Sequence, residues 1–403
     1  MKIVQINAVY QYSSTGKITT EIHHFLQEQG HNSYVFCTNI NNPRDQIFKI
    51  GNKLGYKLHA LKSRITGLEI TGSSFATKKL IKHLGGIEPD LVLLGNLHAN
   101  YINLPILLNF LSKKNIPTVV VLHDCWFFTG QCCYYTEHEC EQWKKECNNC
   151  PHIAKYHNSW FFDRSRYNYL LKRDLFGAIK ELGVIGVSEW ITEEARRSPV
   201  FKHAKIIRRI YNWINLSEFY PKDTESLRSE LAISQNDFVV LGVSQGWSDV
   251  KGLNHMINIA QKNPDLKVIL VGRMDVKAPE LPNLLCVGET ENVSQLADYY
   301  SLADVFLNCS IQETFGKVTA EALACGTPVI VNNATANPEF VSDGKCGYSV
   351  NNNNYDEIIA ALSMLKSRGK AAYSDDCLAK AHRDFSMELK LKEYLDLFEC
   401  MLS

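Results

Sequence analysis

A chain of 403 residues is too long for one ordinary hydrophobic core and predicts two domains of roughly 200 residues each. Hydrophobic residues make up 45% of the chain and charged residues 21%, which excludes a disordered or fibrous protein. The 43 basic and 43 acidic residues give a formal net charge of zero, and we expect no nucleic-acid partner.

The amino-terminal segment is predicted to form a first buried strand over 3–9. Gln5 and Asn7 interrupt it before an apolar run of the signal-peptide type can form. No segment approaches the roughly 18 apolar residues that are needed to cross a bilayer. We therefore expect a cytoplasmic protein whose contact with the inner face of the cell membrane, if made, is peripheral.

Short apolar runs then alternate with helical stretches through the first half of the chain. We predict helices over 18–29 and 106–113, and strands over 33–37, 91–94 and 117–122. This βαβ alternation is typical of a parallel sheet with helices on both faces. The run 14–18 is not a Walker A loop, because Gln11 stands where that motif needs its first glycine.

Basic side chains are concentrated between residues 48 and 82, where they are interleaved with apolar ones. This mixture suits an anionic membrane surface or an acidic lipid headgroup. An ordinary solvated surface with snorkelling lysines explains the pattern equally well. The basic residues are Lys49, Lys53, Lys57, Lys62, Arg64, Lys78, Lys79 and Lys82, and the apolar ones are Phe48, Leu54, Tyr56, Leu58, Leu61 and Leu68.

A histidine and a group of cysteines follow the strand over 117–122. His123 and Asp124 stand at its carboxyl end, where active-site residues of such sheets collect. The cysteine-rich segment near 125–151 has spacings that allow a tetrahedral, structural zinc site of four thiolates. Buried free thiols and redox-labile pairs are the alternatives. The predicted ligands are Cys133, Cys140, Cys147 and Cys150, with Cys132 as the alternative to Cys133.

The alternation of elements restarts in the second half of the chain. Strands are predicted over 238–243, 267–271, 284–287, 305–308 and 328–331, and helices over 253–261, 295–301, 317–325 and 378–402. The pattern predicts an α/β fold of two Rossmann-like, doubly wound domains that face each other across a cleft. The predicted parts are 1–205, 206–380 and a terminal helix over 381–403 that packs back on the first domain.

The most informative run begins at Glu313 and predicts a loop, a helix, a glycine stop and a strand. Gly316 permits close backbone approach at the start of the helix, whose amide groups favour a phosphate. Glu321 lies about two turns further on, so we expect the two carboxylates to hold different parts of one ligand. Carboxylates accept paired hydrogen bonds from the vicinal hydroxyls of ribose and hexose. Ordinary helix-start and surface roles are the alternative for both acids.

Glu313 and Glu321, followed by Gly-Thr-Pro-Val-Ile, resemble the E-x7-E signature of the retaining glycosyltransferases of family 4. The resemblance extends over almost the whole chain and implies the GT-B fold. It implies an acceptor-side domain over 1–205 and a nucleotide-sugar-binding domain over 206–380. It also implies that Glu313 lies beside the donor sugar as a catalytic residue and that Glu321 binds the ribose.

Further positions take their roles from the same resemblance. Lys251 is implied as a catalytic residue and as the cation that binds the donor diphosphate. Many members carry an arginine where this chain has Gln245–Gly246, and Arg273 either supplies part of that charge or is a surface residue. His123, the third catalytic candidate, is implied to approach the donor sugar or the acceptor, with Asp124 fixing its tautomer or contacting the acceptor. The remaining donor-binding candidates are Gly16, Phe315, Gly316 and Lys317.

The cysteine-rich segment resembles an insertion in bacterial polysaccharide transferases of the colanic-acid type. The resemblance therefore implies a hexosyltransferase that uses a UDP- or GDP-sugar and a saccharide acceptor. We expect a lipid-linked acceptor in O-antigen, capsule or exopolysaccharide biosynthesis, with the leaving phosphate as the base and no cofactor required for catalysis. A sugar-nucleotide epimerase and a non-catalytic sugar-nucleotide-binding subunit of an assembly complex are the alternatives.

Overall fold

The computed structural model describes five stretches of the chain, 1–40, 46–155, 159–275, 277–341 and 343–403. It consists of two compact units. Met1–Ile210 and Leu391–Ser403 form the first unit, and Tyr211–Lys390 forms the second. Each unit is built on a parallel sheet with accompanying helices, so the predicted α/β class and the two doubly wound sheets are confirmed.

The sheet of the first unit has seven strands. They are β1 (Lys2–Ile6), β2 (Asn32–Cys37), β3 (Ile47–Lys49), β4 (Leu91–Leu94), β5 (Thr118–Leu122), β6 (Leu182–Gly186) and β7 (Ile206–Arg209). All pair in parallel, in the order β3-β2-β1-β4-β5-β6-β7. Every residue of β4, β5 and β6 is buried, as expected of a sheet covered on both faces. Because β7 pairs with β6, the first unit extends to Ile210, beyond the predicted limit at 205.

Six helices accompany these strands: α1 (Ser13–Glu28), α2 (Lys53–Thr66), α3 (Ser74–Ile87), α4 (Leu104–Lys113), α5 (Ser165–Gly177) and α6 (Glu189–Arg197). Local capping explains where α2 begins and where it ends. The Asn52 side chain accepts a hydrogen bond from the Gly55 amide at its start, and Gly67 ends it with a left-handed φ of 71°.

The sheet of the second unit has six strands. They are β8 (Phe238–Gly246), β9 (Leu266–Arg273), β10 (Leu284–Val287), β11 (Val305–Asn308), β12 (Val329–Asn332) and β13 (Gly347–Val350). They pair in parallel in the order β10-β9-β8-β11-β12-β13. The helices are α7 (Glu225–Glu230), α8 (Leu253–Lys262), α9 (Val293–Leu302), α10 (Lys317–Ala324), α11 (Tyr355–Arg368) and α12 (Ala371–Phe385). A last helix, α13 (Met387–Leu402), begins in this unit and continues into the first.

The single closing helix predicted over 378–402 is wrong, because the chain forms α12 and α13 with a break at Ser386. Ser386 has an extended backbone, with φ −63° and ψ 125°. The Ile214 amide donates a hydrogen bond of 2.8 Å to the Phe385 carbonyl, and this contact with another segment interrupts the helix. The end of α13 belongs to the first unit, where a Cβ on Gly183 would lie 3.1 Å from Met401 Sδ.

Each sheet has a point where the chain switches its direction of growth. In the first unit this point lies between β1 and β4, and in the second between β8 and β11. Loops that follow such strands gather at the carboxyl edge of the sheet, where ligands of open α/β sheets bind. Among the described residues, no helix combines the length and the hydropathy that are needed to cross a bilayer.

Candidate functional site

Two oppositely charged side chains meet at the switch point of the second sheet. Lys251 follows β8, Glu313 follows β11, and Lys251 Nζ lies 2.6 Å from Glu313 Oε1. The two residues are 62 positions apart in sequence, and the neighbouring strand ends bring them together. The side chain of Lys251 is 36% exposed and that of Glu313 15%, so a ligand can reach the pair from the solvent side.

The path of the chain after β8 explains the position of Lys251. The pairing of β8 with β9 shifts register between Val243 and Gly246, and such an irregularity bends a strand locally. A short 3-10 helix, Asp249–Lys251, follows and ends at Gly252 with φ 81°. A Cβ at Gly252 would lie 2.2 Å from Cys309 Cβ, so this segment can lie against the end of β11 only with glycine there.

The loop that carries Glu313 is held by its backbone and leads into α10. The Glu313 amide donates to Thr335 Oγ1 at 3.0 Å, and its carbonyl accepts from the Ala336 amide at 3.2 Å. Gly316 precedes α10 with φ 92°, and it has no side chain with which to cap the first amides of the helix. Those amides can therefore donate to an anion. Lys317, the first residue of α10, is half-buried.

Glu321 and Phe315 have surroundings different from those of Glu313. Glu321 is buried in α10, and its Oε2 accepts a hydrogen bond of 3.0 Å from the Tyr300 hydroxyl. The two carboxylates thus occupy separate places. Phe315 packs in an aromatic cluster with Tyr211, Phe340 and Phe385, so its side chain belongs to the core and its backbone faces the start of α10.

Arg273 ends β9 beside the segment where the family resemblance leaves an arginine missing. It is paired with Gly246 in the sheet register, and a Cβ at Gly246 would lie 3.4 Å from Arg273 Nη2. The side chain is 61% exposed, and its Nε lies 3.3 Å from Asp275 Oδ1. The guanidinium therefore stands next to Gln245–Gly246 and remains open to solvent.

The first unit brings together a histidine and an aspartate from neighbouring strand ends. His98 follows β4, Asp124 follows β5, and His98 Nε2 lies 2.8 Å from Asp124 Oδ2. The other carboxylate oxygen accepts from the Trp126 amide at 2.8 Å. Burial alone would lower the pKa of His98 and raise that of Asp124. Their mutual attraction outweighs burial, so the pKa of His98 is raised and that of Asp124 is lowered.

Asp124 bonds to His98, whereas the sequence predicted that Asp124 fixes the tautomer of His123 or contacts the acceptor. His98 was missed in the sequence, and the signal that could have found it is its place just after a buried strand at the same sheet edge. His123 is half-buried, and burial lowers its pKa to about 4, so its imidazole is neutral at neutral pH.

Gly16 lies in the first turn of α1, close to the loop that follows β1. A Cβ there would lie 3.3 Å from the carbonyl carbon of Tyr10 and from Val9 Cγ2. The Gln11 amide donates to the Gly16 carbonyl at 3.2 Å. The absence of a side chain at Gly16 therefore lets this loop fold tightly over the helix start.

A buried lysine and a buried glutamate support the segment that follows Asp124. Lys172 Nζ donates to the carbonyls of Trp126 and Thr129 at 2.6 and 3.1 Å and lies 3.7 Å from the centre of the Trp126 ring. Glu69 Oε2 accepts from Trp126 Nε1 at 2.9 Å. Burial lowers the pKa of Lys172 to about 8. Neither residue was predicted, because they lie 46 and 57 positions from Trp126.

The structure separates Cys133 from the other three cysteines that were predicted as zinc ligands. Cys132, not Cys133, lines one small cavity with Cys140, Cys147 and Cys150. The Sγ atom of Cys133 instead lies within 4.8 Å of ligand atoms of His98 and Asp124. The Cys132 carbonyl accepts a hydrogen bond from Thr129 Oγ1, and the Cys133 carbonyl accepts one from the Cys125 amide. The side chains of these two adjacent residues lie in different surroundings.

The basic segment of the first unit forms an exposed surface around α2. Of this helix only His59 and Ser63 are buried. One stripe of apolar side chains is between 39% and 67% exposed, namely Leu54, Leu58, Leu61 and Ile65. An adjoining cavity of about 490 Å³ is lined by side chains that include Lys49, Lys62, Lys79, Ser73 and Ser74.

Comparison with known families covers both halves of the chain. Residues 15–218 match the model described as Glycosyltransferase Family 4, and residues 223–375 match Glycosyl transferases group 1. N-acetyl-alpha-D-glucosaminyl L-malate synthase of Bacillus anthracis is 28% identical over 189 residues, 43% of this chain and 47% of that protein. Alpha-monoglucosyldiacylglycerol synthase of Acholeplasma laidlawii is 27% identical over 218 residues, 47% of this chain and 54% of that protein. The chain thus spans about half the length of these curated relatives.

Solved structures resemble the chain from end to end. Sucrose-phosphate synthase from Thermosynechococcus elongatus has a TM-score of 0.70 at 17% identity, covering 100% of this chain and 99% of that one. HepE of Anabaena in complex with UDP has a TM-score of 0.68 at 17% identity, covering 99% of this chain and 100% of that one. At such identities the likeness concerns the fold, and it confirms the predicted GT-B class.

Proposed function

Because this chain belongs to glycosyltransferase family 4, we propose that it is an enzyme that transfers a hexose-type sugar, with retention, from a UDP- or GDP-sugar to a saccharide acceptor. The acceptor is lipid-linked and serves surface polysaccharide biosynthesis, such as that of O-antigen, capsule or exopolysaccharide. The observation that carries the proposal is the Lys251–Glu313 pair at the switch point of the second sheet.

The donor site uses the charges and amides around this pair. Lys251 binds the diphosphate, and Glu313 lies beside the sugar. The amides at Gly316 and the start of α10 supply further donors to the phosphate oxygens. Glu321, held by Tyr300, accepts from the ribose hydroxyls. Arg273 supports the same charge from its place beside Gly246.

The chemistry needs no metal ion in this proposal. The acceptor hydroxyl attacks the face from which the nucleoside diphosphate leaves, and the leaving phosphate takes the hydroxyl proton. Negative charge that grows on the diphosphate is stabilised by Lys251 and by the α10 amides, which are positioned in advance and need little reorganisation. In the first unit, Gly16 and the neutral His123 contact the acceptor or the donor sugar.

The surface around α2 supports a lipid acceptor at an anionic membrane. A helix that exposes Leu54, Leu58, Leu61 and Ile65 between lysines can lie in the plane of an interface, with its apolar side chains inserted and its cations at the lipid phosphates. The Trp160 amide donates to the Arg64 carbonyl at 2.6 Å, which brings the exposed rings of Trp160, Phe161 and Phe162 to the end of this helix. The name of the Acholeplasma relative also indicates a lipid product.

A release assay tests the proposed reaction. Purified protein is given a panel of UDP- and GDP-sugars, with and without bacterial lipid extract, and the freed nucleoside diphosphate is measured. We expect release with one donor, dependent on the extract and lost in Glu313→Gln. Glu291→Gln, an exposed carboxylate of the same unit, is the matched control and should retain activity.

Two outcomes would contradict the proposal. Tight donor binding without release under any condition would favour a non-catalytic sugar-nucleotide-binding subunit. Release that is equally fast with a delipidated oligosaccharide acceptor would remove the lipid from the proposal while leaving the transferase in place.

A further inference from the structure

A long connection between β5 and α5 has little regular structure. The described part of 123–164 contains only three single-turn 3-10 helices, Trp126–Phe128, Thr136–His138 and Gln142–Lys144. Connections of this length without strands or α-helices are uncommon in compact domains. Another source of order is therefore required for a segment that begins with His123 and Asp124.

Four cysteines of this connection line one cavity, although no three of their Sγ atoms lie within 4.8 Å of one another. Cys132, Cys140, Cys147 and Cys150 line this cavity. Cys132 and Cys147 are buried, while the other two are partly buried. The free volume of the cavity is about 10 Å³, which is room for one small ion or water and too little for an iron–sulfur cluster.

Two hydrogen-bond donors reach sulfur atoms that line the cavity. The Gly130 amide donates to Cys147 Sγ at 3.2 Å, and Gln131 Nε2 donates to Cys150 Sγ at 3.3 Å. The fully buried Lys172 interacts electrostatically with Cys132 and Cys147 of this cluster and with the neighbouring Cys133. Hydrogen-bond donors and a nearby cation are the surroundings that stabilise metal-bound thiolates.

We propose that Cys132, Cys140, Cys147 and Cys150 bind one Zn²⁺ ion as four thiolates in a closed tetrahedral site. Binding releases the thiol protons to solvent, and the resulting complex carries two net negative charges, which Lys172 partly offsets. The role is structural. The ion fixes the connection that follows β5, and Thr129 links the site to Lys172 and thereby to Trp126.

A second group of candidate ligands competes with this assignment. Among the residues that the structure describes, His98, Asp124 and Cys133 form the group whose ligand atoms all lie within 4.8 Å of one another. Both oxygens of Asp124 already accept hydrogen bonds, from His98 and Trp126, so this group is satisfied without an ion. It also offers three donors, whereas a closed structural zinc site uses four.

Metal analysis of the full chain distinguishes the two groups. The protein is purified under reducing conditions without added metal, and its metal content is measured by inductively coupled plasma mass spectrometry. We expect about one zinc per chain in the wild type, in Cys133→Ser and in Cys286→Ser, and close to none in Cys147→Ser and Cys150→Ser. Cys133 is the neighbour of a proposed ligand, and Cys286 is an exposed cysteine of the second unit.

A measurement on the wild-type chain tests the proposal even if a cysteine variant fails to fold. Exchange of zinc for Co²⁺ should give the absorption of a tetrahedral cobalt thiolate, and a chelator should abolish this absorption while exposing four additional thiols to Ellman's reagent. Wild-type protein without bound metal would overturn the proposal. So would loss of zinc in Cys133→Ser with retention in Cys147→Ser, or a Cys132–Cys150 disulfide found by mass spectrometry in the reduced preparation.

Discussion

Each unit places a charged pair at the ends of two neighbouring strands, but the two pairs differ in their distance from the switch point and in their surroundings. In the second unit, Lys251 and Glu313 follow β8 and β11, on either side of the switch point. In the first unit, His98 and Asp124 follow β4 and β5, one strand beyond the switch point. The distances are similar, 2.6 and 2.8 Å, yet Lys251 is 36% exposed whereas His98, the basic partner of the other pair, is 21% exposed.

The residues that pack around each pair account for this difference in exposure. Below Asp124 the chain packs Trp126 between the buried Lys172 and Glu69, so the first pair belongs to an enclosed polar network. Beside Lys251, Gly252 lies against Cys309, and the Lys251 side chain is 36% exposed. We infer that the second pair is available to exchange its partner for a ligand, whereas the first holds a loop in position.

Removing the exposed cation should have the largest effect. Lys251→Ala should lower kcat/KM by about 10²–10³-fold, because it removes a preorganised charge from the leaving diphosphate. Steady-state assays of nucleoside diphosphate release measure this loss. Thermal unfolding should change little, since the lysine is partly solvated.

The matched control is Lys366→Ala, which removes a lysine that forms a surface pair with Asp265 in the same unit. It should leave kcat/KM within about twofold of the wild type. Equal losses of kcat/KM in both variants would contradict this prediction. They would mean that the net charge of the second unit matters, and not the position of Lys251 beside Glu313.

The first unit should respond at the exposed surface around α2, which we propose contacts the membrane. Leu58→Glu places a charge in the middle of the exposed stripe on α2 and forfeits about 1.5–3 kcal/mol of burial, so vesicle affinity should fall at least about tenfold. Co-sedimentation with vesicles rich in phosphatidylglycerol measures it. Met364→Glu, an exposed apolar position of the second unit, should bind like the wild type. Retained binding by Leu58→Glu would remove α2 from the docking surface.

The His98–Asp124 pair should make the free energy of unfolding depend on pH. The raised pKa of His98 stabilises the fold below about pH 6.5 and loses its effect as pH rises through the folded pKa. The lowered pKa of Asp124 stabilises above about pH 3.8 and loses its effect as pH falls. Asp124→Asn should therefore cost more unfolding free energy at about pH 5.5 than at about pH 8.5, on the order of 1–3 kcal/mol at the lower value.

Chemical denaturation at the two pH values measures this cost. Asp174→Asn, which changes a surface aspartate paired with Arg173, provides the control and should show little dependence on pH. A cost for Asp124→Asn that is the same at both values would contradict the charged state of the His98–Asp124 pair.

The two units also differ in how far the sequence alone predicts their sites. Glu313, Gly316 and Glu321 lie within one loop and helix, so their spacing carries the information locally. The strands over 91–94, 284–287 and 305–308 were likewise predicted with the observed bounds, because they are short apolar runs. The His98–Asp124 pair was not predicted, since it depends on which strands become neighbours. The choice between Cys132 and Cys133 depends on side-chain direction in an irregular segment, and no periodic pattern reports that direction.

Substitution of Arg273 should have the smallest effect on activity. It compares two cations of the second unit, Arg273 and Lys251. Its guanidinium lies beside Gly246 but is 61% exposed and shared with Asp275, so solvent screens its charge more than that of Lys251. Arg273→Ala should raise the KM for the donor about three- to tenfold with little change in kcat, as expected for a group that binds ground state and transition state alike. Arg273→Lys should recover most of the affinity, and Arg173→Ala, which removes a similar arginine–aspartate surface pair from the first unit, should have no effect. A loss in kcat as large as that of Lys251→Ala would instead make Arg273 the replacement for the arginine missing at Gln245–Gly246, and the charge that stabilises the leaving diphosphate would then come from two strand ends, β8 and β9.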